Sequence, residues 1–247
     1  MGSFRVIAAT LGGIVLLLSA CGSASPRRVS CLGDSNTAYG WPDPTDRRWC
    51  EMLGEFPESV GTRIDNLARG GAILHAASTS WPGGDEQLAW ASAAGRSDVI
   101  VLAFGTNDLR GGSSPRAVAH RYAALRRRAE ARGAAVYVAL APPVWPPEPG
   151  ADDLNRRIAA LNVLLERSWP AQRTLDFHVG FTRDDFEKDG LHLNAAGQRK
   201  RAAIARGVLG PPIGVSADRS DAGRPARSDR RRPAARDKAR FRRSRAP

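Results

Sequence analysis

Short apolar runs alternate with longer amphipathic stretches along this chain. Val29–Leu32 is apolar except for Ser30 and stops abruptly at Gly33-Asp34-Ser35-Asn36-Thr37, the pattern of a buried strand handing over to a tight turn that presents one hydroxyl. Trp49 to Val60 predicts a helix with Trp49, Met52, Leu53 and Phe56 on one face, and Pro57 leaves its end undefined. Arg63–Leu67 reads as a short second strand and Glu86–Ala94 as a helix. Asp98–Phe104 is the clearest buried strand, a continuous apolar run bounded by Asp98 and Gly105. Pro115 to Arg132 is a charged helix with Val118, Tyr122 and Leu125 inward. Ala134–Ala141 is the next strand, ended by Pro142-Pro143, and Asp152–Trp169 the next helix, with Leu154, Ile158, Leu161 and Leu165 at helical spacing. Arg173–Phe177 is a last short strand, and Asn194 caps a final helix running to about Leu209.

Strands separated by helices imply an α/β fold: a parallel sheet with helices on both faces. Such sheets place ligands at the carboxyl ends of their strands. Ser35 follows the first strand and Asn107 follows the strand ending at Phe104, so both fall on one rim. No internal repeat is visible.

The length of 247 residues allows one ordinary domain plus tails, and a hydrophobic content of 42% allows a real core. The formal charge of +12 is concentrated at one end: Ala217–Pro247 holds 12 Arg/Lys against 4 Asp, a net of +8. The basic character therefore belongs to a tail and not to a nucleic-acid-binding domain. The tail, residues 211–247, is rich in Pro, Arg and Ser and poor in large apolar residues, a composition expected to be disordered.

The other end reads as a targeting segment, residues 1–21. Arg5 is followed by an apolar run from Ile7 to Leu18, too short to span a membrane and right for the apolar part of an export signal. It ends in Leu18-Ser19-Ala20-Cys21, which resembles a bacterial lipoprotein signal in which Cys21 is lipidated and becomes the mature N-terminus; an ordinary secretory signal or a short anchor are the alternatives. Residues 22–28 then form a tether, and residues 29–210 the folded domain. The expected location is the cell envelope, held there by the lipid. Cys31 and Cys50 remain, either paired, as export permits, or as two buried thiols.

A serine hydroxyl is a weak nucleophile until a base takes its proton. Of four histidines, His75, His120 and His178 read as structural or surface residues. His192 lies in Lys188-Asp189-Gly190-Leu191-His192-Leu193-Asn194, just before the helix cap, with Asp189 three residues earlier. In a turn, that spacing brings the carboxylate to the ring nitrogen facing away from Ser35, the third role in a serine–histidine–acid set. Acyl transfer also needs donors for a developing oxyanion. Gly105-Thr106-Asn107-Asp108 offers the Asn107 amide, or is a plain strand-ending turn. Asn66-Leu67-Ala68-Arg69-Gly70-Gly71-Ala72 offers a glycine N–H, or only a turn.

These four stretches, in this order over residues 29–210, resemble the conserved blocks of the SGNH/GDSL hydrolase family. The resemblance implies a three-layer α/β/α sandwich with a mainly parallel, flavodoxin-like sheet, and ester hydrolysis with no cofactor and no metal. By position, Ser35 becomes the nucleophile, His192 the base and Asp189 its orienting acid. The Ser35 N–H, a glycine N–H and the Asn107 side chain become the oxyanion hole. Alignment on Asn66 selects Gly71, with adjacent Gly70 still open. Asn36 stands where the named motif has Leu. Asp34 reads as stabilising the turn and taking no part in the chemistry.

The expected substrate is a small ester or an acylated glycan with short acyl groups; a lysophospholipase- or thioesterase-like activity on lipid acyl chains is the alternative within hydrolases, and acyl transfer through the same intermediate is another. A non-catalytic envelope lipoprotein that binds polysaccharide belongs to a different class. Trp41, Trp81 and Trp145 sit in Pro/Gly-rich loops and either line the substrate site or pack beneath the loops. The basic tail either contacts anionic surfaces weakly or is a solvated extension.

Overall fold

The computed structural model describes residues 27–38, 47–57, 61–74 and 82–210. The apolar run near residue 100 forms strand β3 (Val99–Ala103), buried at every position. It sits in the middle of a five-stranded sheet with β1 (Arg27–Gly33), β2 (Thr62–Asn66), β4 (Ala135–Ala139) and β5 (Thr174–Leu175). The spatial order is β2-β1-β3-β4-β5 and every pairing is parallel. This is the flavodoxin-like order, with the chain reversing direction across the sheet between β1 and β3.

Side chains alternate across the pleat, and both faces are apolar. Leu32, Ile100, Leu102, Val136 and Val138 point to one core, completed by Leu88 of α2 (Gly84–Ala93), Leu125 of α4 (Pro115–Glu130) and Ile158 of α5 (Ala151–Ser168). Cys31, Val99, Val101 and Leu175 point to the other, completed by Trp49 of α1 (Trp49–Met52), Phe177, and Ala202 of α6 (Ala195–Leu209). The three layers follow directly from that division.

Three expectations are corrected. The helix starting at Trp49 is α1 alone, followed by a single 3-10 turn at Leu53–Glu55, and Phe56 is already extended. Pro57 disfavours helical backbone at the residue before it, so the apolar spacing could not be extended to Val60. The stretch after β3 is not a plain turn: Thr106–Arg110 forms a short helix, α3, which places Asn107 in its first turn. The last strand contracts to Thr174–Leu175, because Phe177 turns away to pack edge-on against Trp49 with ring centroids 5.2 Å apart.

Cys31 and Cys50 are joined in a disulfide, so β1 is cross-linked to α1 inside the second core. Cys21, residues 22–26 of the tether, the tail from residue 211, Trp41, Trp81 and His75 lie outside the described residues, whereas Arg27 and Arg28, assigned to the tether, already belong to β1 and pair with Thr62 and Arg63 of β2.

Candidate active site

After β1 the chain makes a turn organised by Asp34. Its Oδ1 accepts the Asn36 N–H at 3.0 Å, and its carbonyl accepts the N–H groups of Thr37 (3.0 Å) and Ala38 (2.8 Å). This turn stops the strand and carries Ser35 at the carboxyl edge of the sheet. Asp34 itself is buried, and burial pushes its carboxyl up to about 6 against the opposing effects of the Asn36 N–H and the Arg201 guanidinium. It touches the turn and not the Ser35 hydroxyl, as a stabiliser should.

The second arm is the segment between the 3-10 turn at Arg183–Asp185 and α6. Phe186 and Leu193 pair as an isolated antiparallel bridge, Glu187 N–H donates to the His192 carbonyl at 2.7 Å, and Gly190 N–H donates to the Glu187 carbonyl at 3.0 Å. Asn194 caps α6 as its type predicts, accepting from Ala196 and Gly197 N–H. Within this loop Asp189 is fully engaged. Its Oδ1 accepts from Leu191 N–H (2.9 Å) and His192 N–H (3.0 Å), and its Oδ2 lies 2.5 Å from His192 Nδ1. Burial acts to raise the Asp189 carboxyl, but the bonds from the His192 ring and the two N–H groups outweigh it and hold the group below its ordinary value.

The two arms meet. Ser35 Oγ lies 2.9 Å from His192 Nε2, across 157 residues of sequence. Hydroxyl, imidazole and carboxylate therefore form one continuous hydrogen-bonded line. With Nδ1 holding the ring proton for Asp189, Nε2 is left as the acceptor facing Ser35.

The oxyanion candidates follow β2 and β3, the strands on either side of the one that ends at the Ser35 turn. Arg69 N–H donates to the Gly33 carbonyl at 3.1 Å, which docks the turn after β2 against the end of β1. Asn107 Nδ2 donates to the Ala72 carbonyl at 3.1 Å, which ties α3 to the same turn and leaves its second amide hydrogen uncommitted to that bond. Gly71 and Asn107 both line a cleft of about 670 Å³. Gly71 has φ +71, the left-handed region that favours glycine, whereas Gly70 is outside it. The N–H groups of Ser35 and Gly71 donate to no acceptor among the described residues. Beneath the loop, Asp108 is buried and accepts from Leu74 N–H and Arg121, which steadies the Ala72–Leu74 segment.

The remaining candidates stay outside the site. His120 is exposed on α4, and His178 Nδ1 sits 3.2 Å from the Ala141 carbonyl. Trp145 packs half-buried against a small cluster of Phe181, Phe186 and Leu193, so it supports the His192 loop from beneath. Several contributors carried no signal strong enough to be read from the chain. Arg201 and Gln198, both buried on α6, donate to the Asn36 carbonyl at 2.8 and 3.2 Å. Their one trace in the sequence is their place one helical turn apart, in line with buried Ala202 and Ala205. Arg48, also buried, donates to the Leu193 carbonyl at 3.3 Å.

Among solved structures the chain is similar to TesA, at 22% identity and a TM-score of 0.59 over 76% of this chain and 100% of that one. It is similar to the native aryl esterase of M. smegmatis at 20% identity and a TM-score of 0.59, covering 74% of this chain and 98% of that one. It is also similar to a carbohydrate esterase family 3 protein from Talaromyces cellulolyticus, at 18% identity and a TM-score of 0.57 over 74% and 96%. At these identities the likeness is one of fold. No curated protein matches the chain in sequence. The model of the GDSL-like lipase/acylhydrolase family matches residues 31–200, a stretch that contains the Ser35 turn, the Gly71 and Asn107 segments and the Asp189–His192 loop. The chain belongs to the GDSL-like lipase/acylhydrolase family.

Proposed function

We propose that this chain is a serine esterase that hydrolyses short-chain carboxylic esters, O-acetyl groups on carbohydrate among them, through an acyl-enzyme. One observation carries the reading: Ser35 Oγ, His192 Nε2, His192 Nδ1 and Asp189 Oδ2 are linked in a line by contacts of 2.9 and 2.5 Å.

The chemistry follows from that line. Ser35 Oγ attacks the ester carbonyl while His192 Nε2 takes its proton, and Asp189 stabilises the imidazolium. The carbonyl oxygen becomes an oxyanion, met by the Ser35 and Gly71 N–H groups and the Asn107 amide. Collapse of the intermediate breaks the ester C–O bond, and His192 gives its proton to the departing alcohol. Water then attacks the acyl-Ser35, its proton passing to His192, and the acid leaves as Oγ recovers that proton. Every proton is accounted for by one imidazole, so the steps need no metal or cofactor.

The cleft that Gly71 and Asn107 line, which reaches the proposed oxyanion donors but is not itself lined by Ser35 or His192, supports short or polar substrates. Arg110, Glu148, Asp153 and Arg157 line it, while Ile73 and Leu154 are its only large aliphatic lining residues among those described. A long acyl chain would leave these charged groups facing hydrocarbon, at a cost in desolvation that a hydroxylated sugar avoids. Lysophospholipase- or thioesterase-like hydrolysis of lipid acyl chains is the alternative that the same test separates. A polysaccharide-binding lipoprotein without activity would not need the complete Ser35–His192–Asp189 line.

The test uses the full chain on p-nitrophenyl esters of increasing acyl length and on acetylated glycans. Ser35→Ala is expected to abolish hydrolysis with the melting curve unchanged, and wild type to prefer acyl groups of two to four carbons. Full activity in Ser35→Ala removes the reading; a preference for long chains moves it to the lipid alternative. Adding an alcohol acceptor and analysing products distinguishes transfer from hydrolysis.

We also propose export, with a lipid anchor on Cys21 holding the enzyme at the envelope surface, and the buried Cys31–Cys50 disulfide supports an oxidising compartment. Radiolabelled palmitate incorporated by wild type and not by Cys21→Ala is the expected result. Equal labelling of both rejects the anchor. The tail, by its charge, is assigned weak contact with anionic surfaces, and no nucleic-acid partner is proposed. Truncation after Gly210 without change in envelope retention rejects that contact.

A further inference from the structure

We propose that Asn36 is a positioning residue that fixes the His192 base against the Ser35 nucleophile. The inference rests on the triad reading above and adds a device to it.

Asn36 is buried, with 4% of its surface exposed, and its side chain spans the gap between the two arms of the site. Nδ2 donates to the Leu191 carbonyl at 3.1 Å, and Oδ1 accepts from the Leu193 N–H at 3.0 Å. These two backbone groups flank His192 on either side. The amide thus acts as one rung of an antiparallel ladder, gripping the peptide that carries the base.

Its main chain is held as firmly. The Asn36 N–H donates to Asp34 Oδ1 at 3.0 Å, and its carbonyl accepts from Arg201 Nη1 at 2.8 Å and Gln198 Nε2 at 3.2 Å. Residue 36 directly follows the nucleophile, so one residue is joined to Ser35 by a peptide bond and to both chain neighbours of His192 by hydrogen bonds. The loop's internal bonds, from Glu187, Gly190 and Asp189, fix the shape of the Asp189–His192 unit. Alongside Arg48, which holds the Leu193 carbonyl from α1's start, the Asn36 clamp fixes where that unit sits relative to Ser35.

Leucine, the residue of the named motif, offers no donor and no acceptor here. It would leave the Leu191 carbonyl and the Leu193 N–H buried without this partner, and the loop would settle elsewhere. Aspartate keeps the size and the acceptor but turns an oxygen toward the Leu191 carbonyl. Neither change removes a group that touches the ester.

The experiment measures kcat and KM on p-nitrophenyl acetate for wild type, Asn36→Leu and Asn36→Asp, with active sites counted by a phosphonate titrant. The low-field proton resonance of the His192–Asp189 bond is recorded in parallel. Displacing a reacting group by about 1 Å can cost ~10²-fold. The expected result is kcat per folded molecule lower by about 10- to 100-fold in both variants, KM within about threefold, and the low-field resonance retained. A purely structural role would lower the melting temperature while leaving kcat per titrated site unchanged; kcat within twofold of wild type in Asn36→Asp overturns the proposal. If Asn36→Leu does not fold, Asn36→Asp alone decides. Loss of the resonance with loss of kcat also overturns it, because the Asp189–His192 unit would then have broken and not moved. Wild type that hydrolyses no ester at any chain length removes the esterase reading and this inference together, whereas active wild type with unaffected variants removes only the inference.

Discussion

A methyl group placed on Gly190 would stand 2.0 Å from the carbonyl oxygen of Trp145. The two residues are also hydrogen-bonded, with Trp145 N–H donating to the Gly190 carbonyl at 2.8 Å. Gly190 has φ +71 as well, so any side chain meets both a strained backbone and a collision with main chain. The loop carrying Asp189 and His192 is thereby pressed against the proline-rich stretch around Trp145. Gly190→Ala is expected to cost about 1–3 kcal/mol in stability and at least tenfold in kcat, because relief of the clash must move His192. Denaturant melts and steady-state kinetics on one preparation check both; wild-type kcat in Gly190→Ala refutes the coupling.

The two glycines after β2 are expected to behave differently. Gly70 has open space where a side chain would go, while Gly71 holds a left-handed backbone at the cleft. Gly70→Ala should keep kcat within about twofold and Gly71→Ala should lower it by about 10²-fold, near the loss expected for one oxyanion donor. Asn107→Ala should lose about 10²–10³-fold in kcat with little change in KM. The reverse order of the two glycine variants would reassign the donor.

The Cys31–Cys50 link closes a loop with a sequence separation of 19 inside the apolar layer between the sheet and α1. Chain-entropy arguments assign such a cross-link about 3 kcal/mol. Guanidinium unfolding of Cys31→Ala/Cys50→Ala is expected to show a stability lower by about that amount, with a lower midpoint and a slope no shallower than wild type, because the denatured chain without the link exposes more surface. Activity at low temperature should persist, since neither sulfur touches the triad. An unchanged midpoint would show that the bond adds no stability.

Asp34 gives stability a pH dependence of unusual sign. Its carboxyl rises from 3.8 to about 6 on folding, chiefly through burial. Between those values the folded chain binds more protons than the unfolded chain, so this group's contribution to stability falls as pH rises from about 4 to about 6. Asp189 is held below its ordinary value and works the other way, losing its contribution as pH falls through its folded pKa. Asp34→Asn removes the first effect alone. The melting temperature of Asp34→Asn minus that of wild type should therefore become more positive from pH 4 to pH 6, in a series of thermal melts. A flat difference would show that Asp34 folds with an ordinary carboxyl.

The chain's own pattern determined the fold class and pointed to the residues of the candidate site. The continuous apolar run at residues 99–103 needs cover on both faces, and the amphipathic stretches between strands supply it, so a parallel sheet between helix layers follows from burial alone. Ser35, Asp189 and His192 were legible because each lies in a short local pattern: a strand-ending turn, or a three-residue spacing before a helix cap. The α1 end and α3 were not legible, since Pro57 overrides apolar spacing and a five-residue helix has too few turns to show a period. Tertiary structure alone decided what joins the two arms. Asn36 gripping Leu191 and Leu193 and Arg201 reaching the Asn36 carbonyl are contacts between residues far apart in the chain. Their physical reason is packing: once the sheet brings the ends of β1 and the His192 loop together, every polar group buried there must find a partner, and which partner it finds is set by distance in space and not in sequence.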